Sequence, residues 1–417
     1  MVDEIRIGID ARIIDGQQGG VQQFIIGLAQ GLSQLTDGDE TYIFLAYQNQ
    51  SDWIKPYIGG KCQLHLIPNR PQPPIWKRYL KRFGMLRGVW HRLRARNPVV
   101  PIPHSDGIIE NLGIHLIHFT TQNGFLTDIP SIYHPWDLQH IHLPQFFTPL
   151  EARYRDVRYR TFCQRAKRIA VASTWIKNDL IQQYGIAEDK IVIVPMASVL
   201  VAYPQPTEDD LVHIQAQYGL PDMFAYYPAQ TWAHKNHLGL LKALVILRDV
   251  YRITIPLVLT GTINTYGRTI RQFIKQNRLD NQVMMLGYVS PLTVQALYRL
   301  STMLVFPSRF EGWGLPITEA MSAGVPVICS NATHLPDIVG DAGLIINPDD
   351  TEGLANAIRD LWLNPDLRDM LIQKGYARAA VFNWDTTARL FRAHYRQALG
   401  VNLSTVDEQL LTQSSLI

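Results

Sequence analysis

Three observations predict an α/β protein of two doubly wound parallel sheets facing a central cleft. The chain has 417 residues, more than one hydrophobic core usually fills. Short apolar runs alternate with helical patterns up to Pro195, and the same alternation restarts at Phe224. The second half also carries a glycine-rich loop that opens a helix, within 307–326, and ligands of open α/β sheets bind at such corners.

The first unit opens with Ile5, Ile7 and Ile9 alternating as a strand, glycines near Gly20 as a turn, and Val21, Phe24, Leu28, Leu32 and Leu35 at helical spacing. This is a strand–glycine loop–helix unit that lacks the full G-x-G-x-x-G spacing. Further strands are predicted at Thr41–Ala46, Gln63–Ile67, Ile114–His118, Ser131–His134, Arg168–Ala172 and Ile191–Pro195. The Pro-rich stretch Tyr203–Asp210 reads as the linker region, giving a first domain over 1–200, a linker over 201–222 and a second domain over 223–383. In that second domain strands are predicted at Phe224–Tyr227, Pro256–Thr260, Val283–Leu286, Met303–Phe306, Val327–Cys329 and Gly343–Ile346. A last helix follows at about 384–400, and the Ser-, Thr- and Gln-rich stretch 401–417 is expected to be a mobile tail.

Composition narrows the functional class. Hydrophobic residues make up 47% of the chain, as in an ordinary globular protein. Met1–Glu4 is acidic and leads straight into a strand pattern, unlike a signal peptide, and no apolar run approaches the about 20 residues of a membrane span. A cytoplasmic protein is expected, at most peripheral on the inner face of the plasma membrane. Cys62, Cys163 and Cys329 are scattered and odd in number, which fits reduced thiols and neither a disulfide framework nor a zinc site. A net charge of +3 gives no argument for nucleic acid, and none is expected as a partner.

The corner reads Pro307-Ser-Arg-Phe-Glu-Gly-Trp-Gly-Leu-Pro316 and continues through Glu319. Gly312 and Gly314 let the backbone approach a ligand closely, and Pro316 suits the first helical position, where its missing N–H costs nothing. The free N–H groups and positive dipole end there would hold a phosphate, while Glu319, one turn in, could accept from vicinal sugar hydroxyls. With Gly8-Ile-Asp-Ala-Arg12, Gly19-Gly-Val21, Asp137-Leu-Gln-His140, Ala172-Ser-Thr-Trp-Ile-Lys-Asn-Asp179 and His234-Lys-Asn236, this Glu-x7-Glu stretch resembles retaining nucleotide-sugar glycosyltransferases of glycosyltransferase family 4, in the family's order along nearly the whole chain. The resemblance implies the GT-B fold, a last helix crossing back to the first, acceptor-binding domain, and a second domain that binds the nucleotide sugar. It implies no cofactor. It makes Glu311 a clamp on the donor sugar's hydroxyls and Glu319 a ribose ligand, and it puts Gly19, Gly20, Gln230, Gly312, Trp313, Gly314 and Leu315 along the donor. The resemblance also places the nucleobase near Gly287, Tyr288 and Val289, held by backbone groups of that loop.

Transfer from a nucleoside diphosphate requires positive charge at the departing pyrophosphate. Lys235 matches the family's phosphate lysine, and Arg309 is a second candidate, with a structural ion pair as its competing reading. Many family members carry arginine five residues before that lysine, where this chain has Gln230. Either Arg309 or another base replaces it, or the site leans on the helix N-terminus. Asp137 is preceded by Trp136 where the family pattern has histidine, so His134 or His140 is expected to take that hydrogen-bonding role near the acceptor or the sugar's O6; a packed structural histidine is the alternative for each. Asp37-Gly-Asp39 has the look of a metal pair but reads better as a polar turn, and no metal requirement is expected. A glycosidase would hold its carboxylates about 5 to 9.5 Å apart, whereas eight residues of helix would separate Glu311 and Glu319 by about 12 Å.

Residues 76–96 contain eight Lys or Arg and no acid, with Trp76, Tyr79, Leu80, Phe83, Leu86, Trp90 and Leu93 on one helical face. That pattern suits a helix on an anionic bilayer surface; a basic helix packed on its own domain is the alternative. The expected activity is transfer of a hexosyl group from GDP-mannose or a UDP-hexose to a lipid-linked or polysaccharide acceptor. A soluble-acceptor glycoside or disaccharide synthase of the same fold is a second reading, and a non-catalytic sugar-nucleotide-binding subunit a third.

Overall fold

The computed structural model describes residues 4–69 and 99–414; the basic stretch 76–96 lies outside the described residues. Two parallel sheets organise the chain. The first has the order β3-β2-β1-β4-β5-β6-β7, from β1 (Ile5–Asp10), β2 (Glu40–Tyr47), β3 (Cys62–Ile67), β4 (Leu116–Phe119), β5 (Ser131–Tyr133), β6 (Arg168–Val171) and β7 (Ile191–Ile193). The second has the order β10-β9-β8-β11-β12-β13, from β8 (Ala225–Pro228), β9 (Leu257–Thr260), β10 (Val283–Gly287), β11 (Met303–Phe306), β12 (Val327–Ser330) and β13 (Gly343–Ile346). Their central strands are almost wholly buried, as expected of sheets covered by helices on both faces. In each lobe the strand order reverses next to the first strand, at β1/β4 and β8/β11, and the crevice for a ligand opens at the carboxyl ends there.

The stretch read as a linker carries structure of its own. Helix Glu208–Tyr218 starts on a Thr207–Asp210 capping box, and Arg299 and Gln295 donate to the carbonyls of Pro206 and Pro204, tying this stretch to the second lobe.

Helix Trp384–Leu399 returns to the first lobe. Its Trp384 indole donates to the Ser198 carbonyl at 3.0 Å, and the Tyr395 hydroxyl meets His118 Nδ1 at 2.8 Å. Gly27 and Gly31 on helix Gly20–Ser33 make the room: a Cβ on Gly27 would stand 2.0 Å from the Trp384 ring.

The stretch expected as a mobile tail contains a helix among its described residues. Thr405–Ser414 is a helix, and its buried Asp407 pairs with Arg392 at 2.8 Å and Arg396 at 3.1 Å. Polar composition does not reveal this contact, in which one carboxylate is matched to two arginines on another helix. Asp37 is held by the same helix, at 2.8 Å from Arg392.

Candidate active site

The loop after β8 and the loop after β11 meet at the carboxyl end of the second sheet. Residues Ala233–Lys235 form a single 3-10 turn, closed by Asn236 in the left-handed region with φ 58°. The Tyr227 hydroxyl donates to the Lys235 carbonyl at 2.6 Å, and the Arg309 N–H to the His234 carbonyl at 2.8 Å, so strand and loop fix the turn from both sides. The Lys235 ammonium then reaches Glu311 Oε1 at 2.6 Å. Gly314, at φ 114°, turns the chain into helix Leu315–Ser322, whose first-turn proline has no N–H to leave unsatisfied. Glu319 lies in that helix, buried, accepting from the Tyr298 hydroxyl at 2.7 Å; burial pushes its carboxyl up to about 7, against the pull of that hydrogen bond.

The first lobe closes over this corner. A Cβ on Gly312 would lie 2.9 Å from the Trp136 carbonyl oxygen and 3.9 Å from the Asp137 Cβ. Trp136 takes φ 69°, a strained backbone for a tryptophan, and this turns Asp137 toward the second lobe. Burial and, secondarily, the Glu311 charge raise the Asp137 carboxyl, while Arg155, the Gln139 N–H and Lys235 lower it. The loop before helix Gly20–Ser33 approaches likewise: a Cβ on Gly16 would be 3.5 Å from the Tyr288 ring, one on Gly19 3.4 Å from Gln230 Nε2, and one on Gly20 3.8 Å from Leu315 Cδ1. Residues from both halves of the sequence therefore share one cleft. Beside it, at the carboxyl ends of β1, β2 and β4, lies a cavity of about 570 Å³ lined by Tyr47, Asn49, Gln50, Asn123 and Phe125 together with the Asp10–Arg12 pair.

The family description "Glycosyltransferase Family 4" matches residues 18–197, and "Glycosyl transferases group 1" matches residues 215–378, so the two take one lobe each and leave little of the chain uncovered. The chain belongs to glycosyltransferase family 4. The O-antigen chain mannosyltransferase B of Escherichia coli is 30% identical over 60% of this family 4 chain; the match spans 65% of that protein's own length, just under two thirds. Solved structures share the GT-B fold at low identity. The Anabaena protein HepE, in complex with UDP and glucose, superposes with TM-score 0.70 at 18% identity, over 94% of this chain and 99% of that one. Sucrose-phosphate synthase of Thermosynechococcus elongatus gives TM-score 0.67 at 18% identity, over 95% and 99% of the two chains.

Several expected side chains of this family 4 protein point elsewhere. His134 is fully buried, stacked 3.9 Å from the Trp136 ring and edge-on to Phe24, with both ring nitrogens unpartnered, and burial drives its protonation well below the ordinary range. It is a packing residue. His140 is buried too, with Nε2 3.2 Å from the Tyr184 hydroxyl and its pKa lowered to about 4 by burial. Arg309 places its guanidinium on Asp349, at 2.6 and 3.2 Å, and on Asn236, the contacts of a structural ion pair. Trp313 packs between His334 and Phe382. The Val289 side chain lies in the core, which leaves the backbone of its loop and the 63% exposed Tyr288 for the cleft.

One cluster escaped the sequence reading. His142 Nε2 bonds Asp179 Oδ1 at 2.8 Å, and its ring lies 5.3 Å from Phe310, the residue before Glu311. The signal was present in part, since Asp179 ends one of the recognised motifs, but nothing in the spacing pairs it with residue 142. Among the described residues no group of three or more His, Cys, Asp or Glu is arranged to hold a metal, and no helix is long and apolar enough to cross a membrane.

Proposed function

We propose that this chain is a retaining hexosyltransferase that takes its sugar from a UDP- or GDP-sugar, with GDP-mannose foremost, and passes it to a lipid-linked or polysaccharide acceptor. The observation that carries the reading is the convergence of Lys235, Glu311 and the start of helix Leu315–Ser322 on one cleft, opposite Asp137 and the Gly16–Gly20 loop. The mannosyltransferase relative favours the donor choice.

In this mechanism the diphosphate seats on the helix start, with Lys235 released from Glu311 to meet it. Glu311 then orients the sugar hydroxyls. As the anomeric C–O bond to the diphosphate breaks, the acceptor oxygen bonds the same face of C1, and its proton passes to the departing phosphate oxygen. No protein nucleophile is required. Charge on the leaving group is taken up by Lys235 and the helix N–H groups, without a metal ion. The acceptor end lies in the 570 Å³ cavity, whose carboxamides, with the closed Asp10–Arg12 pair, can meet sugar hydroxyls. A lipid carrier would engage the bilayer through 76–96.

The test is a donor panel scored by mass spectrometry for released GDP or UDP, with and without EDTA. Nucleotide release that survives EDTA supports the reading. Cleavage of a small glycosyl phosphate with no nucleotide released from any donor would sink it. Liposome flotation, lost when the charges within 76–96 are neutralised, separates the lipid-linked acceptor from a soluble one.

A further inference from the structure

We propose that Arg155, a residue of the first lobe, supplies the second cation for the donor's diphosphate, in place of the arginine that this chain lacks at Gln230. The inference rests on the donor reading above and deepens it. Four observations carry it.

Gln230 is neutral and already engaged, its Oε1 accepting from the Trp232 indole at 2.8 Å. Arg309 already has anionic and amide partners, Asp349 at 2.6 and 3.2 Å and Asn236. Arg155 stands in helix Pro149–Arg165, whose start is fixed by a Thr148–Glu151 capping box, and its guanidinium lies over the Phe147 ring at 4.8 Å. Its ion-pair partner among the described residues is Asp137 Oδ1, at 4.0 Å, longer than a hydrogen bond; the side chain remains 33% exposed.

Trp136 and then Asp137 face Gly312 across the cleft, the Asp137 Cβ 3.9 Å from where a Gly312 Cβ would lie, so Arg155, paired with Asp137, stands next to the residues that border the loop carrying Glu311. Electrostatics agree on the direction: His234, next to Lys235, is pushed down to about 2 by burial first, then by the charges of Lys235 and Arg155.

Charge balance supplies the need. Lys235, Glu311 and Asp137 alone leave the diphosphate facing a net negative wall. With Arg155 the wall is neutral before the ligand arrives, and a planar fork is free to turn from a loose carboxylate contact to two phosphate oxygens. The donor would then be gripped from both lobes at once, and closure of the cleft would complete the cation set.

The experiment is donor kinetics on the whole chain, with calorimetric binding of GDP and UDP alongside. Arg155→Gln should lower kcat/KM for the donor by about 100-fold, the loss typical of one preorganised charge-stabilising donor, at an unchanged thermal midpoint. Arg155→Lys should recover part of it. Adding Gln230→Arg to Arg155→Gln should recover at least about tenfold, the equivalent of about 1.4 kcal/mol, because it restores positive charge from the other lobe, which a purely structural role for Arg155 would not allow. A parent-like Arg155→Gln, or a loss that Gln230→Arg leaves untouched, or Arg309→Gln proving the costlier change, overturns the inference while leaving the transferase reading intact. A parent chain that neither binds a nucleoside diphosphate nor releases one from any donor removes both.

Discussion

Lys235 and Glu311 neutralise each other at 2.6 Å, so donor binding must exchange that contact for two new ones, lysine to phosphate and glutamate to sugar. Removing the cation leaves Glu311 facing a diphosphate unopposed. Lys235→Ala should therefore lower kcat/KM by about 10²- to 10³-fold, with kcat falling along with it, measured by steady-state release of nucleotide. Retained activity would show that the ammonium serves only to pin Glu311. Glu319 makes a different prediction. Burial raises its folded pKa to about 7 from an ordinary 4.5, so between those values the folded chain holds a proton that the unfolded chain has lost. Stability from this group is present below about pH 4.5 and is lost as pH rises toward 7, by up to about 3 kcal/mol. Glu319→Gln keeps an acceptor for the Tyr298 hydroxyl and should flatten that decline; thermal midpoints of parent and variant between pH 5 and pH 8 that run parallel would refute it. The two carboxylates were legible in the sequence because a glycine–proline turn dictates where a helix starts, and hence what stands near it. For His134 and His140 the sequence left packing and hydrogen bonding open, because the direction of each ring is set by what packs over it, here Phe24 and Trp136 for one and Tyr159 and Tyr184 for the other.

At the scale of elements, helix Trp384–Leu399 ties the end of the described chain to the first lobe. Its buried Arg392 and Arg396 need anions, and Asp407 meets both from helix Thr405–Ser414, with Glu40 and Asp37 completing the set. Breaking such a cluster from one side leaves buried charge uncompensated. Asp407→Ala should cost about 3 to 5 kcal/mol, read as a lowered urea midpoint, and a loss below about 1 kcal/mol would mean that water replaces the carboxylate. None of this pairing could be read from the chain, since the partners are joined only by the fold. The strands among the described residues could, some from alternation as in Ile5–Asp10, others because a parallel strand covered on both faces is a short continuous apolar run, as in Met303–Phe306 and Val327–Ser330.

Over the whole molecule, both sheets aim their carboxyl edges at one cleft, and the contacts across it are made by glycines where the backbone itself must come close. Closure is therefore sensitive to side-chain bulk on one lip in a way that folding is not. Gly20 provides the cleanest probe, being exposed, in the first turn of its helix, and separated from Leu315 by ordinary van der Waals space. Gly20→Leu improves helix propensity, so the thermal midpoint should hold or rise slightly. The added isobutyl group occupies the gap between the lobes and should prop it open, holding Gln230 and Leu315 away from the Gly16–Gly20 loop. Donor kcat/KM is then expected to fall by about tenfold or more, with amide exchange in 16–20 no longer slowed by added GDP or UDP. A variant that loses stability and donor affinity together would say instead that this lip belongs to the folding core of the first lobe, and that the cleft closes by some other hinge.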